Sequence, residues 1–127
     1  MRLALDTNAY AGAARGEARF VALMRAAHHL YLPFVVVAEL RAGFATGSLG
    51  RQNEAVLARL LSEPRVSVLY ADDQTTHHYA QLFALLRRQG TPIPTNDLWI
   101  AALVIQHDLA LLTNDAHFSH LPQIARA

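Results

Sequence analysis

An α/β domain with a short, mostly parallel central sheet is the fold class this sequence predicts. Short apolar runs of strand length alternate with amphipathic segments of helical spacing. Right-handed crossovers between successive parallel strands would then place helices on both faces, giving a three-layer α/β/α sandwich. The chain also shows no repeat, no low-complexity stretch and no linker, so its 127 residues are expected to form a single domain over 1–127.

The elements follow in order. Leu3–Leu5 reads as a buried strand ending at Asp6, and Tyr10–Ala14 as a short helical segment before the Arg15-Gly16 break. Glu17–Ala27 carries Phe20, Leu23, Met24 and Ala27 at helical spacing, and His28-His29 ends it. Leu30–Pro33 is strand-like. Val35–Phe44 reads as a helix with Glu39 and Gly43 on one face, although its valines also favour strands. Gly47, Ser48 and Gly50 form a loop. Gln52–Leu61 is an amphipathic helix with Val56, Leu57, Leu60 and Leu61 on one stripe, stopped by Glu63-Pro64. Val66–Tyr70 is a second clear strand. Asp72 or Asp73 caps a helix running to about Arg88, with Gly90 in the terminating position. The prolines of Thr91–Pro94 stiffen a loop. Asn96 is the expected N-cap of a helix from Asp97 to about Gln106, His107-Asp108 is a tight turn, and Leu109–Leu112 is the last strand.

Composition narrows the function. The chain is 53% hydrophobic and 17% charged, a core-rich globular balance. Without cysteine there are no disulfides and no thiolate metal sites. No apolar run approaches a membrane span and no secretory leader is visible, so a cytoplasmic protein is expected. A net charge of +1 does not by itself argue for nucleic acid, although all 11 basic residues are Arg, the better phosphate fork.

Most of the ten acidic residues suit ordinary surface, cap or turn positions. Four do not. Asp6 ends the first strand, Glu39 lies within the apolar VVVAEL, Asp97 precedes LWIAALVI, and Asp115 follows LALLTN. Carboxylates are rarely buried without a partner, and the only nearby cation is Arg41. Asp6 and Asp115 belong at the carboxyl edge of the sheet, where sites form, and Asp97 and Glu39 are placed to point there. Four clustered carboxylates repel and would take up protons unless a cation sat among them. Oxygen donors suit Mg2+ or Mn2+, and such an ion serves phosphodiester hydrolysis.

Taken together, LDTN with Asp6, AELRAG with Glu39, PTNDLWIAA with Asp97 and LLTNDAHF with Asp115 resemble the four motifs of PIN-domain ribonucleases, and their order and spacing resemble the VapC toxins of toxin–antitoxin pairs. The resemblance runs from Leu3 to Phe118. It implies a PIN-like sandwich whose Asp6, Glu39, Asp97 and Asp115 hold one or two Mg2+ or Mn2+ ions, with Glu39 acting through water. It implies that Thr7, Asn8, Thr113 and Asn114 support the pocket by hydrogen bonds. It further implies cleavage of single-stranded or looped RNA, often tRNA or rRNA, inhibition by a small antitoxin protein, and a homodimer. Arg41 departs from the family pattern, open either to RNA phosphate or to folding back onto Glu39. Asp108 stands where Gly is common, and Asp tolerates that backbone.

Other readings compete. A haloacid-dehalogenase phosphatase needs a second acid where Asn8 stands, and a receiver domain needs a Lys, which this chain lacks. A His-based hydrolase would use His117 and His120, or the doublets His28-His29 and His77-His78, but no third partner is evident. A partner-binding module with a structural metal ion, or a non-toxin RNA-processing nuclease, also fits, with Tyr10, Phe20, Tyr31 or Phe44 offered to an antitoxin helix. Arg15, Arg19, Arg41, Arg87 and Arg88 are the candidates for phosphate contact, Arg87-Arg88 being best placed before the loop that leads to Asp97.

Overall fold

A computed structural model describes residues 1–127. Four parallel strands, β1 (Arg2–Leu5), β2 (His29–Pro33), β3 (Val66–Leu69) and β4 (Ala110–Leu112), form one sheet in the order β3-β2-β1-β4. Between them lie α1 (Thr7–Ala14), α2 (Ala18–Ala26), α3 (Phe34–Thr46), α4 (Gly50–Leu61), α5 (Asp73–Gln89) and α6 (Thr95–Gln106); a 3-10 turn over Ala116–His120 follows β4. Leu3, Ala4 and Leu5 are wholly buried, which requires cover on both faces of the central strand. This is the expected α/β sandwich.

The chain first builds from β1 through β2 to β3 and then returns to place β4 on the other side of β1. The order therefore reverses between β1 and β4, and the connections leaving the carboxyl ends of those two strands diverge around a crevice. Asp6 follows β1 directly and Thr113 follows β4. The Asp6 amide donates to the Leu112 carbonyl at 3.3 Å, so the two ends are tied together. The open side of β4 is paired by the C-terminal residues, where Leu111 N–H donates to Ala125 and Ala127 N–H to Leu111.

Several element boundaries differ from expectation. Helix α1 begins at Thr7 rather than Tyr10, because the Asp6 side chain accepts the Ala9 amide and serves as its N-cap. Helix α6 begins at Thr95, with Pro94 in the capping position, so Asn96 is not the cap and Asp97 lies in the first turn. The valines of α3 are helical because Val35, Val36 and Val37 are buried; packing outweighs their strand preference. Gly50 starts α4 rather than belonging to the loop, and Val56 leaves the predicted buried stripe, being 45% exposed. Tyr70 lies beyond β3 and is exposed.

Other local expectations match. Asp72 caps α5 through a box with Thr75, Gly90 adopts φ 72° at the end of α5, and Asp108 adopts φ 52° in the turn before β4. No helix is long and apolar enough to cross a membrane.

Candidate active site

The crevice between the ends of β1 and β4 opens as a cleft of about 450 Å³. Asp6, Glu39, Asp97 and Asp115 all line it, with Thr7, Asn8, Thr95 and Asn96 among the other wall residues. Four stretches of chain up to 109 positions apart in sequence converge here, Asp6 and Asp115 being the extremes. No Arg is among the lining residues.

Each carboxylate is held by local chemistry. Asp6 is 3% exposed, and its Oδ1 accepts the Ala9 amide at 2.8 Å. Its Oδ2 accepts the buried Thr113 hydroxyl. Burial pushes the Asp6 carboxyl above the ordinary carboxylate range; these two hydrogen bonds oppose that, and the charges of Asp115 and Asp97 add to it. Asp97 lies in the first turn of α6, where the helix N-terminus favours an anion. Burial raises its carboxyl too, against a hydrogen bond from His117 that lowers it, with Asp115 and Glu39 raising it further by charge. Asp115 caps the 3-10 turn: its Oδ1 accepts the His117 amide at 2.9 Å, and its own amide donates to Thr113 Oγ1 at 2.9 Å.

Glu39 differs from its expected apolar surroundings: it is exposed on α3 and reaches the cleft from the side. Thr7 donates its hydroxyl to Glu39 Oε1 at 2.8 Å. Of the four expected supporting residues, then, Thr7 and Thr113 hydrogen-bond to the acids. Asn8 lines the cleft without such a bond, and Asn114 is exposed and outside the lining.

The basic residues go elsewhere. Arg41 neither folds back onto Glu39 nor stands free; it pairs with Glu54 of α4, Nε to Oε1 at 3.0 Å. Arg15 pairs with Glu17, and Arg19 donates to the Ala127 carbonyl. Arg87 and Arg88 are exposed in the last turn of α5; Arg87 borders a separate apolar hollow with Phe83, Pro92 and Ile93. Among the aromatics offered for docking, Tyr10 and Phe20 are buried and Tyr31 and Phe44 half-buried; the exposed aromatics are Tyr70 and Phe83.

Sequence reasoning set His117 aside with His120, yet its ring enters the acid cluster. Nδ1 lies 2.8 Å from Asp97 Oδ2 and 3.1 Å from Asp115 Oδ1. The hydrogen bond to Asp97 raises the imidazole's pKa above its ordinary value. The other histidines do not join it: His28 meets the N-terminus, His29 meets Ser67, and His77 approaches Asp73. The available signal was the spacing Asp115-x-His117, which an Asx-type turn folds back over its own carboxylate.

The donor set fits a divalent cation. Ligand atoms of Asp97, Asp115 and His117 all lie within 4.8 Å of one another. Asp6 adds buried negative charge behind them, although both its oxygens already accept hydrogen bonds. An acceptor-rich cleft whose carboxylates raise one another's affinity for protons is a cleft short of positive charge.

Known proteins share this fold. Residues 3–124 match the PIN domain family. Ribonuclease VapC1 of Haemophilus influenzae is 38% identical over 86 residues, which are 68% of this chain and 63% of that protein's length. The matched stretch thus spans less than two thirds of that curated relative. The structure of VapBC-1 from nontypeable H. influenzae superposes with a TM-score of 0.87 at 27% identity, covering 100% of this chain and 97% of that one. VapBC2 of Rickettsia felis, bound to a DNA fragment from its promoter, gives 0.85 at 26% identity, covering 100% and 98%.

Proposed function

The chain belongs to the PIN domain family, and on that premise we propose that it is a metal-dependent endoribonuclease serving as the toxin of a toxin–antitoxin pair. One observation carries the reading: four carboxylates from distant stretches of chain line one cleft that contains no Arg. Relatives named as ribonucleases support it, as does the likeness to VapBC-5 of Mycobacterium tuberculosis, a member of the VapBC family of toxin–antitoxin systems.

In this reading Asp97 and Asp115, with Asp6 behind them and Glu39 acting through water, hold one or two Mg2+ or Mn2+ ions. Such an ion polarises a phosphoryl oxygen and makes water a stronger nucleophile at neutral pH. The remaining work belongs to the chain. Thr113 and the Ala9 amide fix the Asp6 carboxylate in one orientation, so its charge is delivered without reorganisation. Thr7 occupies one oxygen of Glu39, and the other takes the proton released as water attacks phosphorus. The water oxygen bonds to phosphorus, the bond from phosphorus to one ribose oxygen breaks, and that oxygen takes a proton from solvent water, to which Glu39 then returns the proton it accepted. Pro94 fixes the loop that presents Thr95, Asn96 and Asp97 to the backbone of the RNA.

The substrate in this proposal is single-stranded or looped RNA, of tRNA or rRNA type, with Arg87 and Arg88 contacting its phosphates. A small antitoxin protein inhibits the enzyme, and the active form is a homodimer.

The test is expression without antitoxin. Wild type should arrest growth, and Asp6→Ala and Asp97→Ala should not; equal arrest by all three would remove catalysis as the cause. With purified chain, cleavage of structured RNA in Mn2+ should stop on adding EDTA, and cleavage that persists would refute the metal mechanism.

A further inference from the structure

We propose that His117 is a metal ligand whose imidazole makes the cleft select first-row transition ions such as Mn2+ over Mg2+; this rests on the metal-dependent reading above. The geometry comes first. His117 Nδ1 stands 2.8 Å from Asp97 Oδ2 and 3.1 Å from Asp115 Oδ1. Neighbouring ligands around an octahedral ion with bonds of roughly 2.1 Å lie about 3.0 Å apart. The separations that now suit a shared N–H proton therefore also suit adjacent corners of a coordination shell. The three groups converge from α6 and the 3-10 turn, with all ligand atoms within 4.8 Å.

The ring is placed by the fold. Phe118, the next residue, is wholly buried and anchors the 3-10 turn. The His117 amide donates to Asp115, the Asp115 amide to Thr113, and the Thr113 hydroxyl to Asp6. His117 is thus tied by a hydrogen-bond chain to the most buried carboxylate of the site. Its side chain is 46% exposed, so an ion reaches it from solvent without opening the core.

Donor chemistry supplies the selectivity. Mg2+ keeps oxygen ligands and water, and gains little from an imidazole. First-row transition ions gain more from an imidazole nitrogen than Mg2+ does, Mn2+ the least of them and Cu2+ the most. Two carboxylates and one imidazole are therefore a more discriminating set than four carboxylates. The other six histidines lie outside the cluster, so a nitrogen ligand in the cleft identifies His117.

The experiment uses the purified full chain with Mn2+ or Mg2+ as the only added ion. Calorimetric titration should show Mn2+ bound at least about tenfold more tightly than Mg2+. Pulsed EPR of the Mn2+-loaded chain should show coupling to a directly ligated nitrogen. In His117→Ala and His117→Gln, Mn2+ affinity should fall at least about tenfold while Mg2+ affinity moves less than about threefold, and the nitrogen coupling should vanish. Circular dichroism melts establish that both variants are folded. If both ions bind wild type and the variants retain Mn2+ affinity or nitrogen coupling, the assignment of His117 is overturned and the carboxylate site stands. If wild type binds neither ion, the metal-dependent reading falls and takes this inference with it.

Discussion

Two groups of polar side chains in this molecule use the same residue type to opposite ends. At the start of α5, Asp72 accepts from Gln106 Nε2 at 2.9 Å and from the Thr75 amide at 3.1 Å. The buried Thr75 hydroxyl lies within hydrogen-bond reach of both Asp72 and Gln106. These donors, Gln106 foremost and then the Thr75 amide, hold the Asp72 carboxyl below the ordinary range. In the cleft, Asp6 and Asp97 are held above it by burial and by each other's neighbours. Where donors match acceptors, a carboxylate locks two helices together. Where acceptors outnumber donors, the fold sustains an unmet demand for positive charge, and that imbalance marks the cleft as the place where a cation belongs.

The largest effect should come from breaking the cleft. Asp97→Asn and Asp115→Asn should each lower RNA cleavage at least about a hundredfold. Neither should lower the metal-free melting temperature towards pH 8, because each removes a repelling charge. A clear destabilisation would show that these acids hold the fold together as Asp72 does. Next in size is Thr75→Val, which leaves Asp72 and Gln106 short of partners. It should cost roughly 1–3 kcal/mol in denaturant unfolding, with cleavage by the folded fraction unchanged. Asp6 belongs to both groups, being an N-cap as well as a cleft acid. Asp6→Ala should cost about 1 kcal/mol of stability, and Asp6→Asn less, although both should lose cleavage.

The smallest effect is in the pH dependence of the metal-free chain, and the two groups pull it in opposite directions. The Asp72 carboxyl is lowered, so its stabilisation is present above its ordinary value of 3.8 and is lost as pH falls through the folded value. Asp6 and Asp97 are raised, so their contribution is full below 3.8 and is lost as pH rises through their folded values. His117 is raised as well, so its ion-paired contribution is full below 6.5 and is lost as pH rises above it. Melts from pH 4 to pH 8 should therefore peak on the acid side of neutrality. Asp97→Asn should flatten the loss towards pH 8, and an unchanged profile would count against the repulsion.

What could be read from sequence was whatever local chemistry decides. Asp72 with Thr75, Gly90 after α5 and Asp108 before β4 each satisfy a backbone need within a few residues. The convergence of Asp6, Glu39, Asp97 and Asp115 was legible because strand ends and a helix start locate them on one edge of a parallel sheet. Features set by packing between distant elements were not legible. Arg41 finds Glu54 only because α3 and α4 pack together. His117 meets the cleft's carboxylates only when the Asp115 turn approaches the start of α6, 20 positions earlier in sequence. Helix α1 begins early because the expected site residue Asp6 also caps it, and a residue with two roles hides one of them.

The most direct test of the central claim is the melting temperature of the purified chain at pH 7.5 in EDTA and then in excess Mn2+, for wild type and Asp97→Asn. An ion that binds the folded cleft at about a hundred times its dissociation constant adds roughly 2.7 kcal/mol. The account predicts that Mn2+ raises the wild-type melting temperature by several degrees and leaves Asp97→Asn nearly unmoved. No shift in wild type, or equal shifts in both proteins, would contradict it.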